Sequence, residues 1–387
     1  MKITSIEPII VSVPYRHREQ STRVQRDGVT DILVKITTDT GLVGWGESCS
    51  GSNVESVYEV IRSAVPYLKG RNPWNREALA ADFFGTAHWY NRVMTGNFAF
   101  CGIDMALWDL CGKASRQPLY NLFGGIMRPT VNYFCYLAWG TPQEVAAQAR
   151  RGVEMGYTVF YIKVGIDVDA ELPMIAALRE TIGPNRKIRI DANGAWSPND
   201  AVRYLVEFDR YRIDFAEQPV WPDPIRNMTE LRARTPVALA ANEGLWRVPD
   251  VHEVIRQRAA HVLCFSSTWV GTLAQFHRLS HLAHLEGLRV CRHTHGELGI
   301  MAAASHHVCL TLPNLVDGNQ QTAEIMEDDV LTAPLPIAGG PTWGVPQGVG
   351  LCVQIDEEKV KKYNRLYEER GQFLPYQPSM FAQEEGN

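Results

Sequence analysis

Three acidic residues stand at equal intervals in this chain. Asp191 lies in RIDANGAW, Glu217 in FAEQPV and Glu243 in AANEG, so both gaps are 26 residues. Each ends or follows a short apolar run of strand character, at 187–190, 213–216 and 237–240. A strand, a turn, a helix and a return loop take about that many residues. Three consecutive βα units would then each place one acid at the carboxyl end of a parallel strand. In a barrel of such units those ends share one face, where active sites are built. Converging carboxylates repel one another unless a cation holds them, and hard oxygen donors without cysteine or histidine suit Mg²⁺. The competing reading is three unrelated strand-end acids, solvated or capping the next helix. It gives no reason for the equal spacing.

The ladder extends both ways. Lys163, in FYIKVG, lies 28 residues before Asp191, one unit earlier. His293, in VCRHTH, lies 50 residues after Glu243, two units later. The two would flank the acids from opposite sides. A lysine buried beside a bound cation should lose proton affinity and act as a base near neutral pH. A cation bound by a substrate carboxylate stabilises the enediolate formed when the α-proton leaves. The competing roles are a structural ion pair for Lys163 and a satisfied barrel-mouth side chain for His293. His295 shares the face of His293 if the strand continues, and His293 is the preferred of the two.

These groups need a scaffold. Residues 1–50 alternate apolar and polar positions, with a Thr40-Gly41 turn, as a small antiparallel sheet does. Residues 53–120 carry helical spacing in VYEVIRSAVPYL and CGIDMALWDLCGKA. After about residue 128 strand and helix patterns alternate, with candidate strands at 131–137, 159–164, 187–191, 212–217, 237–243, 261–266, 288–293 and 314–318. Eight such units in roughly 200 residues favour a closed α/β barrel over an open doubly wound sheet. No G-x-G-x-x-G follows the first strand, which weighs against the open form. The expected division is a capping domain at 1–128, completed by about 345–387, and a barrel at 129–344.

Composition narrows the function classes. The chain has 387 residues, 45% hydrophobic and 21% charged, as a two-domain globular enzyme would. A net charge of −5 leaves no electrostatic footprint for nucleic acid. No apolar run approaches membrane-spanning length, and the N-terminus lacks a signal-peptide layout. The eight cysteines form no C-x-x-C pair and read as reduced core residues of a cytoplasmic protein.

Taken in order, GLVGWGE (41–47), GIDMALWDLCGK (102–113), IDANGAW (190–196), AEQP (216–219) and the Asn242-Glu243 step make the chain resemble the enolase superfamily, in its mandelate racemase and muconate lactonizing branch. The resemblance covers nearly the whole chain. It implies an α+β capping domain built from both termini and a modified (β/α)₇β TIM-like barrel. It also implies one Mg²⁺ held by Asp191, Glu217 and Glu243, a second-strand base at Lys163 and a seventh-strand histidine at His293. Two departures stand out. Tyr161 replaces the first lysine of the common Lys-x-Lys, and Ser266 or Ser267 occupies the place of the sixth-strand Asp that usually supports the histidine. No lysine occurs near Thr268, which argues against paired-lysine chemistry. Glu297 or His295 would then have to support His293.

Trp139, Tyr161, Asn193, Arg292, His295, Asn319 and Gln320 are the expected mouth residues, with donors and acceptors suited to hydroxyl groups. The loop holding Arg16, His17, Arg18, Arg23 and Arg26 is strongly basic. In the family this region folds over the mouth, where its arginines would grip a distal carboxylate or hydroxyls; a solvated charged loop is the alternative. The expected activity is dehydration of a sugar acid, aldonate or aldarate, to a 2-keto-3-deoxy acid. A racemase, epimerase or lactone cycloisomerase is the alternative, and a metal-binding barrel without catalysis a remote third. The expected partner is a small-molecule carboxylate, and the expected assembly a homo-oligomer.

Overall fold

A computed structural model describes residues 1–21, 24–51, 53–86, 90 and 94–374. The alternating N-terminal residues form an antiparallel meander of β1 (Ile3–Gln20), β2 (Gln25–Thr38) and β3 (Val43–Cys49). Three helices follow, α1 (Val54–Leu68), α2 (Arg76–Gly85) and α3 (Thr95–Ser115). From Gly96 to Gly112 every residue of α3 is buried, so that helix is enclosed on all sides. It lies against β3 so closely that a Cβ on Gly46 would stand 1.9 Å from the carbonyl oxygen of Gly102. The glycines of the WGE and CGID motifs are therefore required by packing.

After α4 (Leu119–Leu122) and β4 (Thr130–Asn132) the chain enters a parallel sheet. Its strands are β5 (Cys135–Leu137), β6 (Val159–Lys163), β7 (Lys187–Asp191), β8 (Ile213–Glu217), β9 (Leu239–Ala241), β10 (Val262–Phe265) and β11 (Arg289–Arg292), neighbours in chain order. The intervening helices are α5 (Pro142–Glu154), α6 (Val168–Ile182), α7 (Pro198–Asp209), α8 (Arg226–Arg232), α9 (Val248–Arg256), the short α10 (Ser267–Val270), α11 (Leu273–Leu285) and α12 (Gly299–Cys309). Several start on a side-chain cap, as at Thr141, Asp167, Ser197 and Thr272. Residues 314–320 join the two sheet edges. Val316 N donates to Val290 O at 2.8 Å, and Phe134 N donates to Asn319 O at 3.0 Å. The eighth strand of the barrel is thus present as a bridging segment. β12 (Thr342–Gly344) pairs with β4, and α13 (Glu357–Arg370) lies on β1, where Asn364 Nδ2 donates to Ile10 O at 2.9 Å.

Strand alternation decides what faces inward. Ile162, Ile188 and Ile190 join the main core, which includes buried residues of the surrounding helices. Phe215, Ala240, Val262, Cys264, Cys291 and Val316 form a separate cluster on the other face of the strands, the inside of the barrel. Arg189 places its guanidinium 4.3 Å from the Phe215 ring centre and pairs with Asp214. Two residues further along the same inward rows come Asp191, Glu217 and His293. No helix among the described residues is long and apolar enough to cross a membrane. The eight cysteines are free, and seven are buried.

Candidate active site

Register brings the first groups together. Lys163 pairs with Asp191 across β6–β7, and Asp191 with Glu217 across β7–β8. The next step differs. Glu217 pairs with Ala240, so Glu243 lies three residues beyond its strand partner, in the loop after β9. The expected strand 237–243 is shorter than its apolar pattern, and the third acid arrives from a loop. A cleft whose lining includes Gln218, Glu243 and Trp246 opens beside it.

Asp191 is the most tightly held of the acids. Its Oδ2 accepts from Tyr161 Oη at 2.5 Å and from Lys163 Nζ at 2.7 Å, while Oδ1 accepts from the backbone N of Asn193 at 2.8 Å. Asn193 spans two groups: its Oδ1 accepts from Lys163 at 3.0 Å and its Nδ2 donates to Glu243 Oε1 at 2.8 Å. Gln320 Nε2 sits between both oxygens of Glu217, at 2.9 and 3.0 Å. As these side chains stand, no three acidic, histidine or cysteine groups among the described residues close into a ligand cluster. The donor set nonetheless fits a hard divalent cation. Asp191 and Glu217 are buried, and Glu243 Oε2 is a buried oxygen without a hydrogen-bond partner among the described residues. Burial first, then the charge of Asp191, raises the Glu217 carboxyl well above its ordinary range and the Glu243 carboxyl to about 7. A cation would relieve that repulsion.

Lys163 departs from the sequence expectation. Burial works against its charge, but Asp191 and Glu19, followed by Tyr136 and Glu217, outweigh it and hold the ammonium above the ordinary lysine range. The expectation counted the repulsion of a neighbouring cation; the carboxylates by themselves act the other way.

His293 is buried, and burial, His295 and Lys163 push its proton affinity well down. Its Nδ1 has no hydrogen-bond partner among the described residues. Neither expected substitute supports it. The Glu297 carboxylate is taken up by Arg292, and the His295 ring centre lies 6.2 Å away. Ser266 Oγ bonds Thr268 Oγ1 at 2.6 Å. What meets the imidazole is an indole: Trp269 of α10 packs edge-on against it, ring centres 4.9 Å apart. Asn97 of α3 donates to the Trp269 carbonyl at 2.5 Å. A charged partner would have stood out in the sequence, whereas a tryptophan on the next helix leaves no motif there.

The remaining expected residues divide. Trp139 is half-buried after β5, with a buried indole N–H that has no partner among the described residues. Arg292 does not present itself to a substrate. It is fully buried, with its guanidinium on Glu297 and, at 2.8 Å, on the Gln320 carbonyl. Asn319 is likewise spent on backbone groups that close the barrel. Arg16 and His17 are exposed, and Arg18 pairs with Asp27 on the surface. Arg23 lies outside the described residues. The expected loop is largely strand, with Arg16, His17 and Arg18 in β1 and Arg26 in β2, and a register shift between Pro14 and Glu19 changes which of these residues turn inward. Arg26 and Glu19 do so instead. They form a half-buried ion pair at 2.6 Å, and Arg26 Nη1 donates to the His295 carbonyl at 2.8 Å. Glu19 was missed because a lone acid in a basic loop carries no signal of its own.

Comparison with known proteins agrees with this architecture. Residues 5–124 match the mandelate racemase/muconate lactonizing enzyme N-terminal domain, and residues 144–359 match the enolase C-terminal domain-like family. An N-succinyl-L-Arg/Lys racemase from Bacillus cereus is 27% identical, covering 94% of this chain and 98% of that protein. A D-galactonate dehydratase from Klebsiella pneumoniae is 28% identical, covering 86% and 91% respectively. A crystal structure of an enolase from Streptomyces coelicolor superposes with a TM-score of 0.88 at 28% identity, covering 96% of this chain and 99% of that one. The chain therefore belongs to the mandelate racemase/muconate lactonizing branch of the enolase superfamily and is an enzyme of that superfamily.

Proposed function

We propose that the protein dehydrates a sugar acid, an aldonate or aldarate, to a 2-keto-3-deoxy acid. Members of this family bind Mg²⁺, and here Asp191, Glu217 and Glu243 would hold it. Bound there, the cation would grip the substrate carboxylate and offset the negative charge that develops as the α-proton leaves. Lys163, once deprotonated, takes that proton on Nζ. The electron pair of the broken C–H bond forms the C=C bond as the β C–O bond breaks. His293 delivers a proton to the departing oxygen, so water leaves, and the enol tautomerises to the keto acid. Tyr161 and Asn193 orient Asp191 and Lys163, and Gln320 orients Glu217.

The observation that carries this reading is the contrast between the two proton carriers. Lys163 is hydrogen-bonded into the acids, while His293, across the barrel, has no acidic partner to make it a strong base. An elimination needs two proton carriers, one for the α-proton and one for the leaving oxygen, and a bound cation would oppose the carboxylates that hold the Lys163 proton. The galactonate dehydratase relative supports the same class. The Bacillus racemase supports a second reading, 1,1-proton transfer between the same two groups. Screening aldonic and aldaric acids with Mg²⁺ for keto-acid formation separates the two. A keto acid from at least one substrate is expected. Solvent deuterium incorporation at the α-carbon with no keto acid from any of them would overturn dehydration in favour of the second reading.

A further inference from the structure

The outer face of α11 carries a histidine stripe that the barrel chemistry does not use. His277, His281 and His284 are spaced i, i+4 and i+7, which puts them on one side of a helix. The first two face each other. Their Nε2 atoms are 3.2 Å apart and their ring centres 4.4 Å apart. We propose that His277 and His281 form a transition-metal site, for Zn²⁺, Cu²⁺ or Ni²⁺, separate from the acidic platform at the barrel mouth.

The geometry suits an ion. With metal–nitrogen bonds of about 2.0–2.1 Å, two nitrogens 3.2 Å apart subtend an angle of roughly 100° at the metal. That is close to the tetrahedral value. The rings are also partly organised. His277 and His281 are half-buried, and the Phe123 ring packs on His277 with centres 5.3 Å apart. Burial, then His281 and Arg278, lowers the His277 imidazole to about 4, so it is neutral and keeps a lone pair near neutral pH. Imidazole donors select the later first-row ions, whereas the oxygen donors of the barrel select Mg²⁺. Water would complete the coordination shell, with His284 one turn further on the same stripe. A bound ion would tie two turns of α11 together beside the segment that ends the capping helices.

The test uses the full chain without a histidine tag, loaded with excess Mg²⁺, and Cu²⁺ as the probe. Electron paramagnetic resonance should show copper with nitrogen ligands, and titration calorimetry should give its stoichiometry. His277→Ala and His281→Ala should each lose one nitrogen-ligated copper per chain, with affinity at that site falling at least tenfold. His277→Gln, which keeps a hydrogen-bonding side chain, should behave like His277→Ala, and serves if the alanine variant fails to fold. Zn²⁺ should raise the melting temperature of the parent but not of the variants. Equal copper stoichiometry and spectra in the parent and His277→Gln would overturn the site and leave the pair as a simple N–H···N hydrogen bond.

Discussion

The carboxylate of Glu47, at the end of β3, accepts a hydrogen bond from the backbone N of Leu298 at 2.7 Å, across 251 residues of sequence. Its other oxygen accepts from Met301 N at 2.9 Å. The capping domain thus holds the N-terminus of α12, directly after the loop that carries His293 and His295. Burial raises the Glu47 carboxyl to about 7, and the two backbone donors oppose that rise. Burial and then the charge of Glu47 hold the Asp31 carboxyl beside it well above its ordinary range. Glu47→Ala leaves buried N–H groups without acceptors and should cost about 1–3 kcal/mol. It should also lower kcat more than it changes KM, because His293 loses its anchored loop. Urea unfolding and steady-state kinetics check both, and an unchanged kcat would remove Glu47 from the positioning of that loop.

For the acids, Asp191→Asn, Glu217→Gln and Glu243→Gln should each weaken Mg²⁺ binding and abolish turnover while leaving the fold intact. Tyr161→Phe removes only a hydrogen-bond partner of Asp191, and a loss of about 10–100-fold in Mg²⁺ affinity is expected. Calorimetry that found all four variants indistinguishable from the parent would refute the platform.

Isotope exchange separates the two proton carriers. Lys163→Ala should lose at least ~10²-fold in rate, the lower scale for a general base. His293→Asn should stop dehydration while α-proton exchange with D₂O continues through Lys163. The opposite pattern, exchange lost in His293→Asn and kept in Lys163→Ala, reverses the roles. A damaging His295→Asn beside a silent His293→Asn would move the seventh-strand role to His295.

Stability should fall on the acid side of neutrality. His306 and His307 of α12 are fully buried and hold the tail, each donating from Nε2 to a carbonyl, Gly344 O at 2.9 Å and Leu351 O at 3.1 Å. Burial lowers them to about 3 and about 4, against roughly 6.5 in an unfolded chain. Between those values the unfolded chain binds protons that the folded chain does not. Their contribution is therefore complete above about pH 6.5 and declines as pH falls toward 4 and 3, by up to about 1.4 kcal/mol per pH unit for each histidine. His306→Gln should flatten the stability profile between pH 6.5 and 4. An unchanged slope in urea titrations across that window would show that His306 does not drive the acid loss.

Gly46 offers a test of packing alone. A methyl group there overlaps the Gly102 carbonyl, and backbone cannot move aside as a flexible side chain can. Gly46→Ala should cost at least the upper end of the ~1–3 kcal/mol typical of overpacking. Denaturant midpoints within experimental scatter of the parent would contradict the close approach of α3 and β3.

The barrel was legible in the sequence because its period is local. Apolar strand runs, helix caps and the recurring unit length depend on neighbours within one βα unit. Lys163, Asp191 and Glu217 follow from that period plus strand alternation, which puts every second residue inside. Glu243 shows where the period stops being enough: equal sequence spacing did not give equal register, because β9 ends early and a loop makes up the difference. Arg292 read as ligand-binding from its place at a strand end and Arg16 from a basic segment that the family folds over the mouth, yet one is consumed by Glu297 and the other faces solvent. The partners that shape the site come from far along the chain. Trp269 beside His293, Gln320 beneath Glu217, Glu47 under α12 and the inward Glu19–Arg26 pair are all set by strand closure and by docking of the capping domain. Side-chain direction across such contacts depends on where two backbones meet, and that was decided only by the tertiary fold.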